Sequence, residues 1–145
     1  MLIRRFIPVA VLPVVLMTAL VSGQGQPLVS HAEAGPFIGT WLFTMTEPEA
    51  FKGTEQTVRI WERNGVIGAS VQIGKFPASQ ATGIFHDGDM LVLTISHAAD
   101  PGIRENGAPI WAVISLTRDG DFMKTAQMLE RSQTIKRGVA KKQPD

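Results

Sequence analysis

The sequence predicts an all-β protein, an eight-stranded antiparallel up-and-down β-barrel preceded by a signal peptide. Hairpin turns recur at 64–65 (Asn-Gly), 87–89 (Asp-Gly-Asp) and 119–121 (Asp-Gly-Asp), and Asn-Gly favours the positive φ angles of a type I′ turn. Between the turns, β-branched and apolar residues alternate with polar ones at a period of two. The chain has 145 residues, which is room for one domain.

The N-terminal segment differs from the rest and predicts a signal peptide, 1–34, that is removed. Arg4 and Arg5 precede an almost wholly apolar stretch, 6–21, and the Ala-Glu-Ala at 32–34 has the small-x-small form that signal peptidase accepts. Cleavage after Gly23 is the second position that fits. An uncleaved anchor is the competing interpretation, but two prolines interrupt a stretch already short for about 30 Å of hydrocarbon. We expect an exported protein, secreted or periplasmic, with no stable membrane insertion after cleavage.

The amino-acid composition indicates which classes of partner the protein is expected to lack and in which compartment it is expected to reside. The chain has no cysteine, so it offers neither a disulfide nor a lipidation site, and exported proteins without disulfides are typical of bacteria. Beyond residue 34, basic and acidic side chains are equal in number, which predicts no nucleic-acid partner. We expect the barrel domain to span residues 35–140. Residues 141–145 are predicted to form a basic, disordered tail, because a cluster of C-terminal lysines is typical of a segment exposed to solvent.

The order of the connections supports a closed barrel. In an up-and-down barrel alternate loops lie at the same end, and here the three tight turns alternate with three longer loops, 47–55, 74–80 and 97–108. One end is therefore predicted to be closed by short turns and the other ringed by long loops. The segment 122–130 contains good helix formers, but the hairpin turn before it favours a strand. The eight predicted strands are 39–46, 56–63, 66–73, 81–86, 90–96, 109–118, 122–130 and 134–139.

The start of the first strand resembles the lipocalin-like (calycin) group of β-barrels. Gly39, Thr40 and Trp41 form a G-x-W sequence after Phe37-Ile38. The resemblance implies that Trp41 packs at the closed end beneath a cap, crossed by a basic residue of the last strand. Arg137 is the candidate, with Arg131 second. The chain departs from typical lipocalins because it is shorter, lacks a disulfide and has no clear C-terminal helix.

The long-loop end, called the open end below, predicts a ligand site. Barrel mouths combine an apolar lining with a few orienting polar groups, and an eight-stranded barrel either holds one small ligand or is filled by its own side chains. The leading hypothesis is non-covalent binding of a small apolar molecule; the alternative is that the aromatic residues plug the barrel. The candidate residues are Phe51, Lys52, Lys75, Phe76, His97 and Arg104.

A second hypothesis is a protein-interaction module. Alternation places Met90, Val92, Trp111 and Val113 on the outside of two neighbouring strands, and an apolar patch on a barrel wall suggests a partner surface. We expect self-association as a homodimer through this wall. Cover by another part of the same chain is the competing explanation.

A small enzyme at the open end is the third hypothesis, and it would depend on His97 or a loop acid. No nucleophile elbow, phosphate loop or metalloprotease helix occurs in the sequence. His86 and His97 lie at opposite ends of one strand, about 20 Å apart, too far to share a metal. The Asp-Gly-Asp segments lack the further oxygen ligands of a calcium loop and are explained as turns. The sequence therefore predicts no metal, no cofactor and no assigned catalytic residue.

Overall fold

Eight antiparallel strands close into one barrel in sequence order, with the last strand pairing with the first. The computed structural model describes residues 28–96, 111–130 and 134–144, and within them the predicted all-β barrel is confirmed. Within the segment 122–130, which composition alone left open, Phe122–Leu129 is a strand. The strands are β1 Gly39–Glu47, β2 Glu55–Arg63, β3 Val66–Ile73, β4 Ser79–Asp87, β5 Met90–Ser96, β6 Trp111–Asp119, β7 Phe122–Leu129 and β8 Ile135–Lys142.

The connections sort to the two ends as the sequence predicts. The turns β2–β3, β4–β5 and β6–β7 lie at one end, together with the start of β1 and the end of β8. Asn64 and Gly65 both adopt positive φ angles, 53° and 75°, as the Asn-Gly pair requires in a primed turn. The β1–β2 loop at the other end contains a 3-10 helix, Glu49–Phe51.

Large apolar side chains fill the interior, because every second residue of each strand points inward. Trp41, Phe43 and Met45 of β1 are at most 1% exposed, as are Leu91, Leu93 and Ile95 of β5. Residues of β2, β3, β6, β7 and β8 contribute the rest of the barrel core. A packed interior of this kind belongs to barrels that are filled by their own side chains.

A short N-terminal cap, defined here as residues 28–37, covers the closed end. It consists of α1, His31–Ala34, followed by a 3-10 helix, Gly35–Phe37. Ser30 and Glu33 form a capping box at the start of α1, which satisfies backbone groups that a helix end leaves unpaired. Val29, Ala34 and Phe37 are buried in the core cluster. The cap is therefore part of the folded barrel.

Trp41 lies at the closed end as the resemblance implies, but the basic residue above it is a different one. The Trp41 Nε1 donates a hydrogen bond to the carbonyl of Phe37 at 2.8 Å, and Arg118 of β6 lies 4.7 Å from the ring centroid. The prediction for Arg137 is wrong. That residue pairs with Glu47 at the far end of β1, with 3.4 Å between Arg137 Nη1 and Glu47 Oε2.

The C-terminal boundary also differs from the prediction. β8 continues to Lys142 and pairs Lys141 and Lys142 with Leu42 and Trp41, so the expected disordered tail is wrong for these two residues. The backbone N–H of Gln143 donates to Thr40 O at 2.8 Å. Gly39 has a φ of +134°, and a Cβ there would stand 2.4 Å from Lys142 Cε. Glycine is favoured at this φ angle, and the end of the Lys142 side chain lies over it.

Candidate functional site

The predicted open-end residues do not gather around one cavity in the described part of the barrel mouth. Phe51 is half-buried and packs against the core, which agrees with the plug alternative. Lys52 is exposed beside Glu49, at 3.4 Å between Nζ and Oε2. Lys75 and Phe76 are both exposed on the β3–β4 loop. The other two candidates, His97 and Arg104, lie outside the described residues.

Groups that the sequence analysis did not select close the barrel just inside the open end. Gln127 Nε2 donates to Gln56 Oε1 at 2.6 Å, joining β7 to β2 across the interior. The Lys136 ammonium lies 3.8 Å from the centroid of Phe51, and burial lowers the pKa of Lys136. The cavity beside them measures about 30 Å³, room for one or two water molecules. This space beside Gln56, Gln127 and Lys136 is too small for a larger ligand.

A larger cavity opens instead through the barrel wall between β3 and β4, and is called the side cavity below. The two strands pair at Ser70–Gln80 and Val71–Ser79 and then separate towards the closed end. The cavity between them measures about 330 Å³, within the range of small-ligand sites. Its lining consists of Leu28, Val29, Gly65, Val66, Ile67, Gly68, Ala69, Gln80, Ala81, Thr82, Gly83 and Ile84.

The chemistry of the side cavity is apolar with hydrogen-bonding edges. Val29, Ile67 and Ile84 contribute aliphatic surface, while the separated strand edges present backbone groups that do not pair with each other. The ladder between β4 and β5 shifts register between Ala81 and Gly83. Glycine inside a strand marks a bulge or a close approach of another group. The glycines and alanines of β3 and β4 were therefore the sequence signal for this site.

Two histidine–glutamate pairs hold the cap across the closed end beside the side cavity. His31 of α1 contacts Glu62 at the end of β2. His86 Nδ1, near the end of β4, lies 3.8 Å from Glu33 Oε1. The backbone N–H and hydroxyl of Ser30 donate to the Glu33 carboxylate and lower its pKa, and His86 lowers it further. The cap therefore bridges the strands on either side of β3.

The apolar outer wall lies partly elsewhere than the sequence predicted. Trp111 and Val113 are exposed, but Met90 and Val92 are half-buried and pair with Thr117 and Ser115 rather than with the apolar pair. Val113 instead pairs with Met128, which pairs with Ile135 of β8. We call the exposed set Trp111, Val113, Met128 and Ile135 the outer apolar row.

Two further properties concern only the described residues. No group of three or more histidine, aspartate or glutamate side chains is placed to hold a metal ion. No helix there is long and apolar enough to cross a membrane.

The barrel is consistent with a calycin-like fold in the number and order of its strands. Comparisons with protein-family models, with curated proteins and with solved structures found no match.

Proposed function

We propose that this protein binds a small apolar molecule non-covalently in the side cavity between β3 and β4. The observation that carries the proposal is the interrupted ladder between these strands, which leaves about 330 Å³ beside apolar side chains. A ligand there would bury Ile67 and Ile84 and gain hydrogen bonds from the strand edges. Burial of apolar surface contributes about 25 cal/mol per Å², so the proposed binding relies on apolar contact and not on a charged partner.

The test uses N-phenyl-1-naphthylamine, a neutral apolar fluorophore. We expect its emission to rise on binding to the natural chain and to be lost in Ala81→Phe, because the larger side chain occupies the cavity. Phe51→Ala is the matched control at the open end and should bind as the natural chain does. Loss of binding in Phe51→Ala with retention in Ala81→Phe would return the site to the barrel mouth. Absence of binding to the natural chain would overturn the proposal.

Export is part of the proposal, and the cap favours one of the two predicted cleavage positions. A cut after Ala34 would remove Val29 and Ala34, which are buried, and the residues paired with Glu62 and His86. A cut after Gly23 keeps all of them. The mass of the exported chain tests this: we expect a mature start at Gln24, while a start at Gly35 would contradict it.

A second candidate function is self-association through the outer apolar row. Its four side chains are each about 40% exposed on adjacent strands, and contiguous exposed apolar surface favours a protein partner. Val113→Lys should dissociate a dimer in sedimentation experiments. Val139→Lys is the control, since Val139 is as exposed as Val113 but pairs with Lys124 and Thr44 outside the row. A monomer at high concentration would exclude this function.

A further inference from the structure

The outer side of β2, β3 and β4 carries a second cavity, of about 470 Å³, lined by polar and aromatic side chains. In β2 the buried residues Gln56, Val58 and Ile60 alternate with Arg59, Trp61 and Arg63, so the latter three point outward. We call the surface formed by Arg59, Trp61, Arg63, Ser70 and Gln80 the Trp61 face. It lies outside the barrel and does not depend on the proposed function of the side cavity.

Trp61 forms a flat platform at the centre of this face. It pairs with Gly68 of β3, and a Cβ at Gly68 would stand 2.5 Å from Trp61 Cε2 and 2.7 Å from Cζ2. The indole therefore lies over the glycine, with one ring face against the sheet and the other towards the cavity. Covering a strand glycine explains this orientation, but it does not explain the charges on either side.

Two arginines flank the platform without partners. Arg59 and Arg63 stand two residues before and after Trp61 on the same side of the strand, about 6.6 Å away along it. Within the described residues neither makes an ion pair, a hydrogen bond or a cation–π contact. Glu62, the acidic residue of the lining, contacts His31. The two guanidinium groups therefore leave the face positively charged.

Neutral hydrogen-bonding groups complete the face. Ser70 and Gln80 pair across β3 and β4 and both line the cavity. The face thus offers a flat apolar surface, two charged donors and neutral groups that donate and accept. A sugar ring has an apolar face suited to packing on an indole and hydroxyls suited to polar side chains, of which Gln80 is exposed and Ser70 is 8% exposed. Guanidinium groups bind carboxylates or sulfates in a bidentate manner.

We propose that the Trp61 face binds an acidic carbohydrate, with one ring on Trp61 and its acidic groups between Arg59 and Arg63. The cavity is open to solvent along the barrel wall, so it accommodates an internal unit of a sugar chain. Aromatic carboxylates are the competing class, but they favour enclosed apolar sites.

The test is calorimetric titration of the full exported chain with tetragalacturonate, and with cellotetraose as the uncharged sugar. We expect tetragalacturonate to bind at least tenfold more tightly, with affinity falling as salt is added. Trp61→Ala should abolish binding, while Trp111→Ala, at an exposed tryptophan elsewhere, should leave it unchanged. Arg59→Gln and Arg63→Gln should each weaken binding about tenfold, and Lys124→Gln should have no effect.

The exposed arginine variants keep the test decisive if Trp61→Ala fails to fold. Equal binding of both sugars, or unchanged affinity in the arginine variants, would overturn the acidic-sugar assignment. Equal losses in Trp111→Ala or Lys124→Gln would show non-specific attraction and would also overturn it. Binding of 2-naphthoate without binding of tetragalacturonate would assign the face to aromatic acids instead.

Discussion

Two parts of the barrel wall are built differently. β5 and β6 pair along the whole of Met90–Ser96, and the inward side chains Leu93 and Ile114 are at most 1% exposed. β3 and β4 pair only at the end near the open mouth, and Ile84 beyond that point is half-buried beside the side cavity. The first region is called the packed wall below, and the second the seam.

This difference separates the region that stabilises the fold from the region proposed to bind a ligand. Closing a barrel removes exposed strand edges, yet the seam leaves parts of two edges unpaired. A region with fewer hydrogen bonds and looser packing opens at a lower free-energy cost than the core. Ligand sites are commonly found in such regions. The packed wall contributes free energy of folding that offsets the lower stability of the seam. The following predictions test this division, beginning with the largest expected effect.

The same substitution in the two regions should have unequal costs. Ile114→Ala in the packed wall should lower the free energy of unfolding by about 2–5 kcal/mol, because it leaves a cavity in a closely packed core. Ile84→Ala in the seam should cost about 1 kcal/mol or less, because its side chain already borders open space. Urea denaturation of both variants measures the difference. Equal losses would show that the seam is packed as tightly as the packed wall.

Adding bulk should also cost more in the closely packed core than in the seam. Ala140 is 1% exposed and pairs with Phe43 and Met123, so Ala140→Leu should destabilise the protein by about 1–3 kcal/mol through overpacking. Ala81 borders the side cavity, so Ala81→Leu should be neutral or stabilising by up to about 1 kcal/mol. Thermal melts compare the two. A lower Tm for Ala81→Leu than for Ala140→Leu would contradict an accessible cavity in the seam.

The sequence predicted the packed wall much better than the seam, and the reason is physical. Leu91, Leu93 and Ile95 recur at every second residue of β5, and a period of two determines which face is buried wherever the strand is paired. Whether two strands separate depends on their register and on the cap above them, which periodicity does not contain. In the sequence, Gly68 and Gly83 were the residues that indicated an irregularity in β3 and β4. The sequence consequently predicted the ligand site at the long loops, where Phe51 instead packs against the core.

The basic residue beside Trp41 was also predicted incorrectly. The resemblance directed attention to the last strand, but Arg137 pairs with Glu47 near the open end. Arg118 directly precedes the turn 119–121, which the loop order already placed at the closed end beside Trp41. The position of the turn therefore indicated the correct basic residue, whereas the family resemblance implied one on a different strand.

The smallest expected effect concerns the cap, which closes one end of the seam. Hydrogen bonds from the backbone and hydroxyl of Ser30, followed by the nearby His86, lower the pKa of Glu33. A carboxyl whose pKa is lowered in the folded state stabilises that state above its ordinary pKa. The stabilisation is lost as the pH falls through the lowered value. The cap should therefore loosen in acid while the packed wall remains closed.

Hydrogen exchange measures this difference directly. The amide of Ala34 donates to Ser30 O at 3.0 Å, so its protection factor reports on the cap, and that of Leu93 reports on the packed wall. We expect protection at Ala34 to decrease in acid while protection at Leu93 is unchanged. In Ser30→Ala the carboxylate of Glu33 loses the hydroxyl donor but keeps the backbone N–H, so Ala34 should be less protected even at neutral pH. A parallel decrease at Leu93 would show that cap and wall open together, because a cap that loosened alone would leave β5 protected.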